Sequence, residues 1–320
     1  MDRDKLSQQI KLQGEQLGFD LVGISRAEFL EQEAHDLEQW LKEERHGNMQ
    51  YMENYFDKRV DPRLLVPGAK SVISVIHNYL PPATYRQPEG APKISVYAWG
   101  EDYHKVLKRK LYRLLEWIQT EVGEVAARVF VDSAPVMDKA WAQRSGLGWI
   151  GKHTNLITPK KGSYFFIGEI ILDVDLVYDG PVNDYCGTCT RCLDACPTDA
   201  LTPYQIDASR CISYLTIELK EEIPDEFHQN MEGWAYGCDI CQEVCPWNRH
   251  ARAITGEDFR PLDHILNYSQ DDWLELEERT FKKLTKKTAM NRVKWNKMKG
   301  NLQVIVPSPP PQDAGEDSDK

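Results

Sequence analysis

The densest chemistry in this 320-residue chain lies between residues 186 and 245, which hold all eight of its cysteines. Four read Cys186-x-x-Cys189-x-x-Cys192-x-x-x-Cys196-Pro197. Three read Cys238-x-x-Cys241-x-x-x-Cys245-Pro246, and Cys211 stands between the runs. A C-x-x-C-x-x-C triplet wraps three thiolates around one iron–sulfur cube, and in two-cluster proteins the fourth cysteine of such a run crosses to the other cluster. Cys186, Cys189 and Cys192 with Cys245 then hold one [4Fe–4S] cluster. Cys238 and Cys241 with Cys196 hold the other, and Cys211 supplies the last ligand. Zinc accounts for C-x-x-C pairs but not for the triplet, and a disulfide framework belongs to short secreted chains.

Composition sets the surroundings. A hydrophobic fraction of 41% supports a substantial core. The polar, amphipathic N-terminus reads as neither a signal peptide nor a membrane span, so a reducing cytoplasm is the expected home. The net charge of −11 argues against a nucleic-acid partner. Residues 279–299, however, carry nine basic side chains and no acidic one. Such a patch can meet phosphates on an acidic protein, although a solvated helix face is the commoner reading.

Periodicity expects helices over residues 4–18, 27–45, 102–122 and 136–144, and strands over 19–24, 71–79, 94–99, 128–131 and 164–172. Residues 55–63 read as a polar loop. The overall expectation is an α+β protein. An N-terminal α/β domain (1–178) precedes a two-cluster ferredoxin-like domain (179–250), a short helical basic segment (251–306) and a disordered Pro/Asp/Glu tail (307–320).

Two features of the first domain could do chemistry. Asp132 ends the apolar strand Val129-Phe130-Val131, and strand ends are where α/β sheets tend to bind ligands. Apolar surroundings would raise its pKa and keep it protonated as an acid. On residues alone, a cap for the helix after Pro135 is the commoner role. The run Gly146-x-Gly148-x-x-Gly151 follows a helix rather than a strand, so it is a turn region and not a dinucleotide fingerprint. Its glycines would let backbone approach a cofactor closely. His153 beyond it is a candidate metal ligand, though a lone histidine more often packs. Tyr97, Trp99 and Trp149 are candidate stacking partners for a nucleobase.

Taken together, Val131-Asp132-Ser133-Ala134-Pro135, Gly146-Leu147-Gly148-Trp149-Ile150-Gly151-Lys152-His153-Thr154-Asn155, Cys211-Ile212-Ser213-Tyr214 and Tyr236-Gly237-Cys238-Asp239 resemble the epoxyqueuosine reductase (QueG) family over roughly residues 1–250. The resemblance implies a cobalamin between the two domains and reduction of epoxyqueuosine at a tRNA wobble position. It implies Asp132 as proton donor, with cofactor contacts at Arg59, Lys152, His153, Thr154, Leu156, Thr158, Ser213 and Asp239. It also implies tRNA and an external electron donor as partners for a chain expected to act as a monomer. Some members carry a C-terminal helical-repeat domain that helps hold tRNA; here the basic segment 279–299 is expected to serve in its place. A bare electron carrier and a cobalamin-dependent reductive dehalogenase are the competing classes.

Overall fold

The computed structural model describes residues 2–159 and 161–306, so the tail expected to be disordered lies outside the described residues. Four strands form the central sheet: β1 (Leu21–Arg26), β2 (Ser71–Asn78), β3 (Ala127–Phe130) and β4 (Phe165–Leu172), in the order β1-β2-β4-β3. Every pairing in it is antiparallel. The alternation of helix and strand is present, but the connections return each strand against its neighbour's direction. No edge therefore gathers the C-termini of all the strands, and the rule that points from such an edge to a ligand site does not carry over.

Both faces of the sheet are covered, which explains why β2 and β4 are nearly continuous in apolar residues. Successive side chains point to opposite faces. Ile73, Val75, Ile170 and Leu172 meet the apolar stripes of α1 (Arg3–Gln16) and α3 (Tyr103–Val122), including Ile10, Leu107, Leu111 and Leu114. Val72 and Ile171 face the other way, toward Leu37 of α2 (Glu31–Lys42) and Trp141 of α4 (Asp138–Arg144). Gly23 in β1 allows close approach, since a Cβ there would lie 2.0 Å from the carbonyl oxygen of Ser145.

Two sequence expectations change. The polar loop at 55–63 contains a short helix, Phe56–Val60, and a 3-10 turn, Pro62–Leu64. Val60 is fully buried against the second core, which overrides the local polarity. The strand expected at 94–99 shrinks to Lys93–Ile94, followed by a 3-10 turn at Val96–Ala98. Lys93–Ile94 pairs in parallel with Trp234–Tyr236, tying the first half of the chain to the cysteine-rich region. Trp273, Phe281, Met290, Met298 and Leu302 from the C-terminal helices close a third core around Ile94 and Tyr236. Asn301 donates to the carbonyls of Thr216 and Ala235, anchoring the last helix, Trp295–Ile305. Among the described residues, no helix is long and apolar enough to cross a membrane.

The connection at 252–259 is held to the sheet edge by charge. Asp258 bonds to Lys110 at 2.5 Å and to His77 at 3.2 Å, and Asp20 pairs with Lys161 at 3.0 Å. Burial pushes the Asp20 carboxyl up, but bonds from His77, the Asn78 amide and Lys161 outweigh it and bring it down to about 2. The His77 bond, helped by Lys110, likewise holds Asp258 well below the carboxylate range. A lowered carboxylate pKa contributes stability above the unfolded value near ~4, lost as pH falls through the folded value. Asp258→Asn is therefore expected to lower Tm at pH 6 and to lose less Tm than the parent between pH 5 and pH 2. Parallel Tm–pH curves for the two proteins would rule this out.

Candidate active site

The thiols have two electrostatic neighbourhoods. Cys192 lies in the electrostatic range of Cys245, Cys186 and Cys189. Cys241 senses Cys211, Cys238 and Cys196. Short helical turns, Arg191–Asp194 and Ile240–Glu243, carry the middle cysteines of the two runs, and the helix Ile212–Ile217 begins directly after Cys211. All eight cysteines are free of disulfides. Among the described residues, no three His, Cys, Asp or Glu side chains are arranged around a single metal ion. Two sets of four soft sulfurs fit two [4Fe–4S] clusters.

The sets differ in what they face. Cys196, Cys211, Cys238 and Cys241 all line a cavity of ≈ 970 Å³, and none of the other four does. The cavity lies between the cysteine region and the sheet edge formed by the end of β2, the start of β4 and the turn after β3. Its volume is at the upper end for small-molecule sites. Two buried nitrogens of its lining, Arg59 Nε and His153 Nε2, have no hydrogen-bond partner. Such groups are costly unless a ligand satisfies them. Among the described residues, seven non-glycines have positive φ, and three of them, Tyr55, Asp132 and Thr154, line this cavity. Left-handed backbone costs on the order of 1–2 kcal/mol per residue and concentrates at functional sites.

Asp132 sits at the centre of a tight turn, φ 54°, in which the Ser133 amide donates to the Val131 carbonyl at 2.6 Å. The turn aims the carboxylate into the cavity, where the side chain is 55% exposed. It is not a helix cap, because α4 begins only at Asp138 and the Asp132 side chain is used elsewhere. Its Oδ2 accepts from the Tyr103 hydroxyl and lies 3.3 Å from His104 Nε2. The Tyr103 ring is fixed between Phe166, stacked at 4.2 Å, and His104 at 4.1 Å. Burial and the neighbouring Asp132 charge push the phenol far up, so it stays protonated and is the donor in this bond.

The expected protonation of Asp132 is corrected here. Burial alone would raise its pKa, but the bonds from His104 and Tyr103 outweigh burial and leave the carboxyl below its ordinary value. Beneath it, Asp138 is pushed up to about 6 by burial. Fully buried Glu169 is pushed well above the usual carboxylate range by burial, with the Asp138 charge adding to it.

The other singled-out residues separate. Arg59, His153, Thr154, Ser213 and Asp239 line the cavity, whereas Lys152, Leu156 and Thr158 are not among its lining residues. Lys152 Nζ instead donates to the carbonyls of Gly187 and Cys189, bracing the first cysteine loop. Thr158 donates to the Leu147 carbonyl at 2.9 Å, and Leu156 is buried beside Ile76. Asp239 accepts from Ser95 Oγ and the Val96 amide, so it fastens the turn at 95–96 to the cysteine region. His153 is neutral, since burial and then Lys139 bring it down to about 4.

The glycine run packs against the chain itself, and none of its three glycines is among the cavity's lining residues. A Cβ at Gly148 would lie 2.2 Å from the Ile157 carbonyl oxygen, and one at Gly146, where φ is 74°, 2.7 Å from that of Gly180. Of the three suggested stacking residues only Tyr97 lines the cavity. Trp99 is buried with its Nε1 donating to Ile94, and Trp149 is buried against Tyr185 and Trp247.

Sequence reasoning missed Tyr103, His104, Lys139, Tyr51 and the particular importance of Arg292. An Asp-Tyr-His run at a helix start reads as capping, and Asp102 does cap α3 by accepting from the His104 amide. Arg292 leaves the basic segment to pair with Glu218 at 2.7 Å and to lie over the Tyr51 ring at the cavity mouth.

Comparison with known proteins gives a consistent result. The family model described as epoxyqueuosine reductase QueG, DUF1730, matches residues 59–133, and that of a 4Fe-4S double cluster binding domain matches residues 185–248. The chain is 55% identical over 304 residues to an epoxyqueuosine reductase of Cellulophaga algicola, covering 95% of this chain and 99% of that one. It is 41% identical to the Escherichia coli epoxyqueuosine reductase over 97% of this chain and 83% of the relative. Among solved structures, an epoxyqueuosine reductase in complex with an epoxyqueuosine-modified tRNA-Tyr stem loop superposes with TM-score 0.84 at 30% identity, covering 94% and 80% of the two chains. The Bacillus subtilis enzyme, with a catalytic loop swung out of the active site, gives 0.86 at 29% over 94% and 81%.

Proposed function

The chain belongs to the epoxyqueuosine reductase family, and from that premise we propose that it reduces epoxyqueuosine in the tRNA anticodon to queuosine with a cobalamin in the cavity and Asp132 as acid. The observation that carries this is that one cavity is lined both by Cys196, Cys211, Cys238 and Cys241 and by Asp132. An iron–sulfur carrier alone would need no such cavity, and family membership sets the dehalogenase aside.

When bound, cobalamin supplies the low-potential metal centre that delivers electrons to the epoxide carbon. The protein's part is to hold and wire it. The orphaned Arg59 and His153 nitrogens, with Ser213 and Thr154, are suited to the amide-rich rim of a corrin. Cys186, Cys189, Cys192 and Cys245 would hold the cluster that accepts electrons from an external donor, and Cys196, Cys211, Cys238 and Cys241 would hold the one beside the cavity. Tyr103 orients the Asp132 carboxyl, and Asp132 gives a proton where negative charge develops on the departing oxygen.

Arg292 at the mouth and the basic face of residues 279–299 take the stem-loop phosphates. One chain contains both cluster sites and the cavity, which supports action as a monomer. Eight free thiols support a reducing cytoplasm.

Anaerobically reconstituted protein titrated with hydroxocobalamin is expected to give a saturable change in the corrin spectrum near one equivalent. With reductant, the epoxyqueuosine stem loop should lose one oxygen atom by mass spectrometry. Absence of corrin binding by cluster-loaded protein would overturn the cavity assignment.

A further inference from the structure

Conversion of an epoxide to an alkene consumes two electrons and two protons and releases one water. One carbon–oxygen bond breaks and the oxygen takes the first proton. The second bond then breaks and the leaving hydroxide takes the second proton. The electrons come from the one-electron donor that reduces the clusters. Asp132 alone can supply one proton at most, and in the open cavity it is ionised.

Asp132 is the end of a chain of polar contacts. His104 Nε2 lies 3.3 Å from Asp132 Oδ2, and His104 Nδ1 lies 2.8 Å from Asp102 Oδ1. Asp102 is itself fixed as the cap of α3. His104 does not line the cavity, yet 27% of its side chain is exposed, so water reaches it on another side. Asp132 faces the cavity, where substrate and corrin would shut it off from bulk water.

We propose that Asp102, His104 and Asp132 form a proton relay in which His104 stores the proton and Asp132 delivers it. The proposal rests on the reading of Asp132 as the acid. In the open cavity the pair is ionic, His104 imidazolium against Asp132 carboxylate. Burial lowers the imidazole pKa, but the bonds to Asp132 and Asp102 outweigh it and raise it overall. Filling the cavity removes water from Asp132, which favours the neutral pair and moves the proton onto the carboxyl facing the substrate. After the first delivery, His104 recharges from solvent and supplies the second proton by the same path. Other charges near the relay include Lys105, 3.9 Å from Asp102, Lys108, 3.4 Å from Ser133 Oγ, and Asp138, Lys139, Glu169 and Arg292, each electrostatically coupled to Asp132.

The test compares His104→Gln, His104→Ala, Asp102→Asn and Asp132→Asn in cluster- and cobalamin-loaded protein. The two His104 variants are expected to keep both cofactor spectra and KM for the stem loop, while kcat falls by about 10²-fold, the usual size for a proton-transfer group. Added imidazole should restore part of the loss in His104→Ala and none in Asp132→Asn. In parent enzyme kcat should fall as pH rises through the His104 pKa, and Asp102→Asn should bring that limb to lower pH. Labelled-histidine NMR of the protein without substrate should report the same downward shift for His104.

If Asp132→Asn is inactive while His104→Gln keeps parental kcat and pH profile, the relay is wrong and the acid stands. If Asp132→Asn is fully active, the acid assignment falls and takes the relay with it. Should a His104 variant fail to load its clusters, the Asp102→Asn pH profile and NMR shift decide, and no shift in either overturns the relay.

Discussion

Asp132→Asn is expected to purify with both clusters, to bind cobalamin as tightly as the parent, and to lose at least about 10²-fold in turnover. The change is nearly isosteric. Asn accepts from Tyr103 through its amide oxygen, so the turn and its φ of 54° survive. What is lost is a group that can pass through a protonated, neutral state and give that proton away. The loss should appear in kcat, with KM for the stem loop nearly unchanged, because the carboxyl acts on charge that develops after binding. A variant with parental kcat would remove Asp132 from the chemistry.

The second large effect concerns the wiring. Cys211→Ala is expected to lower bound iron from about eight to about four per chain and to bring steady-state turnover to background. Cys192→Ala should do the same to the iron count. The two variants part when electrons come from a small chemical reductant that can enter the cavity. Cys192→Ala removes only the outer cluster, so the cavity-side cluster still connects to the site and a single turnover should persist. Cys211→Ala removes the carrier at the cavity wall, so reduction there depends wholly on the reductant's own access. Equal single-turnover rates in both variants would contradict the order of the two clusters.

The double-cluster domain was legible in the sequence because ligation of a cube is largely local. Three thiolates two residues apart can reach one cluster only in a tight coil, and the fourth is sent away by its proline. The helices and strands around the core were legible for a similar reason, since a two-sided buried strand such as β2 declares itself by its run of β-branched residues. The turn at Asp132 was legible only as an address. Its strand end and its polarity pointed to it, but its charge state depends on Tyr103 and His104, about 30 residues earlier, which nothing local to Asp132 reveals. The glycine run misled for the opposite reason. Close backbone approach was correctly required, but what approaches is the protein's own chain at Ile157 and Gly180.

By itself, then, the sequence determined what is set by neighbours along the chain: the spacing of eight cysteines, most of the helical and extended segments, and the family whose motifs they complete. The tertiary structure alone decided the direction in which the strands pair, which four cysteines line the cavity, the presence of Arg292 in its lining, and the 3.3 Å approach of His104 to Asp132. Those outcomes depend on groups brought together from distant segments, with local charge and burial setting their protonation. Such terms are fixed by three-dimensional proximity, which no spacing along the chain encodes.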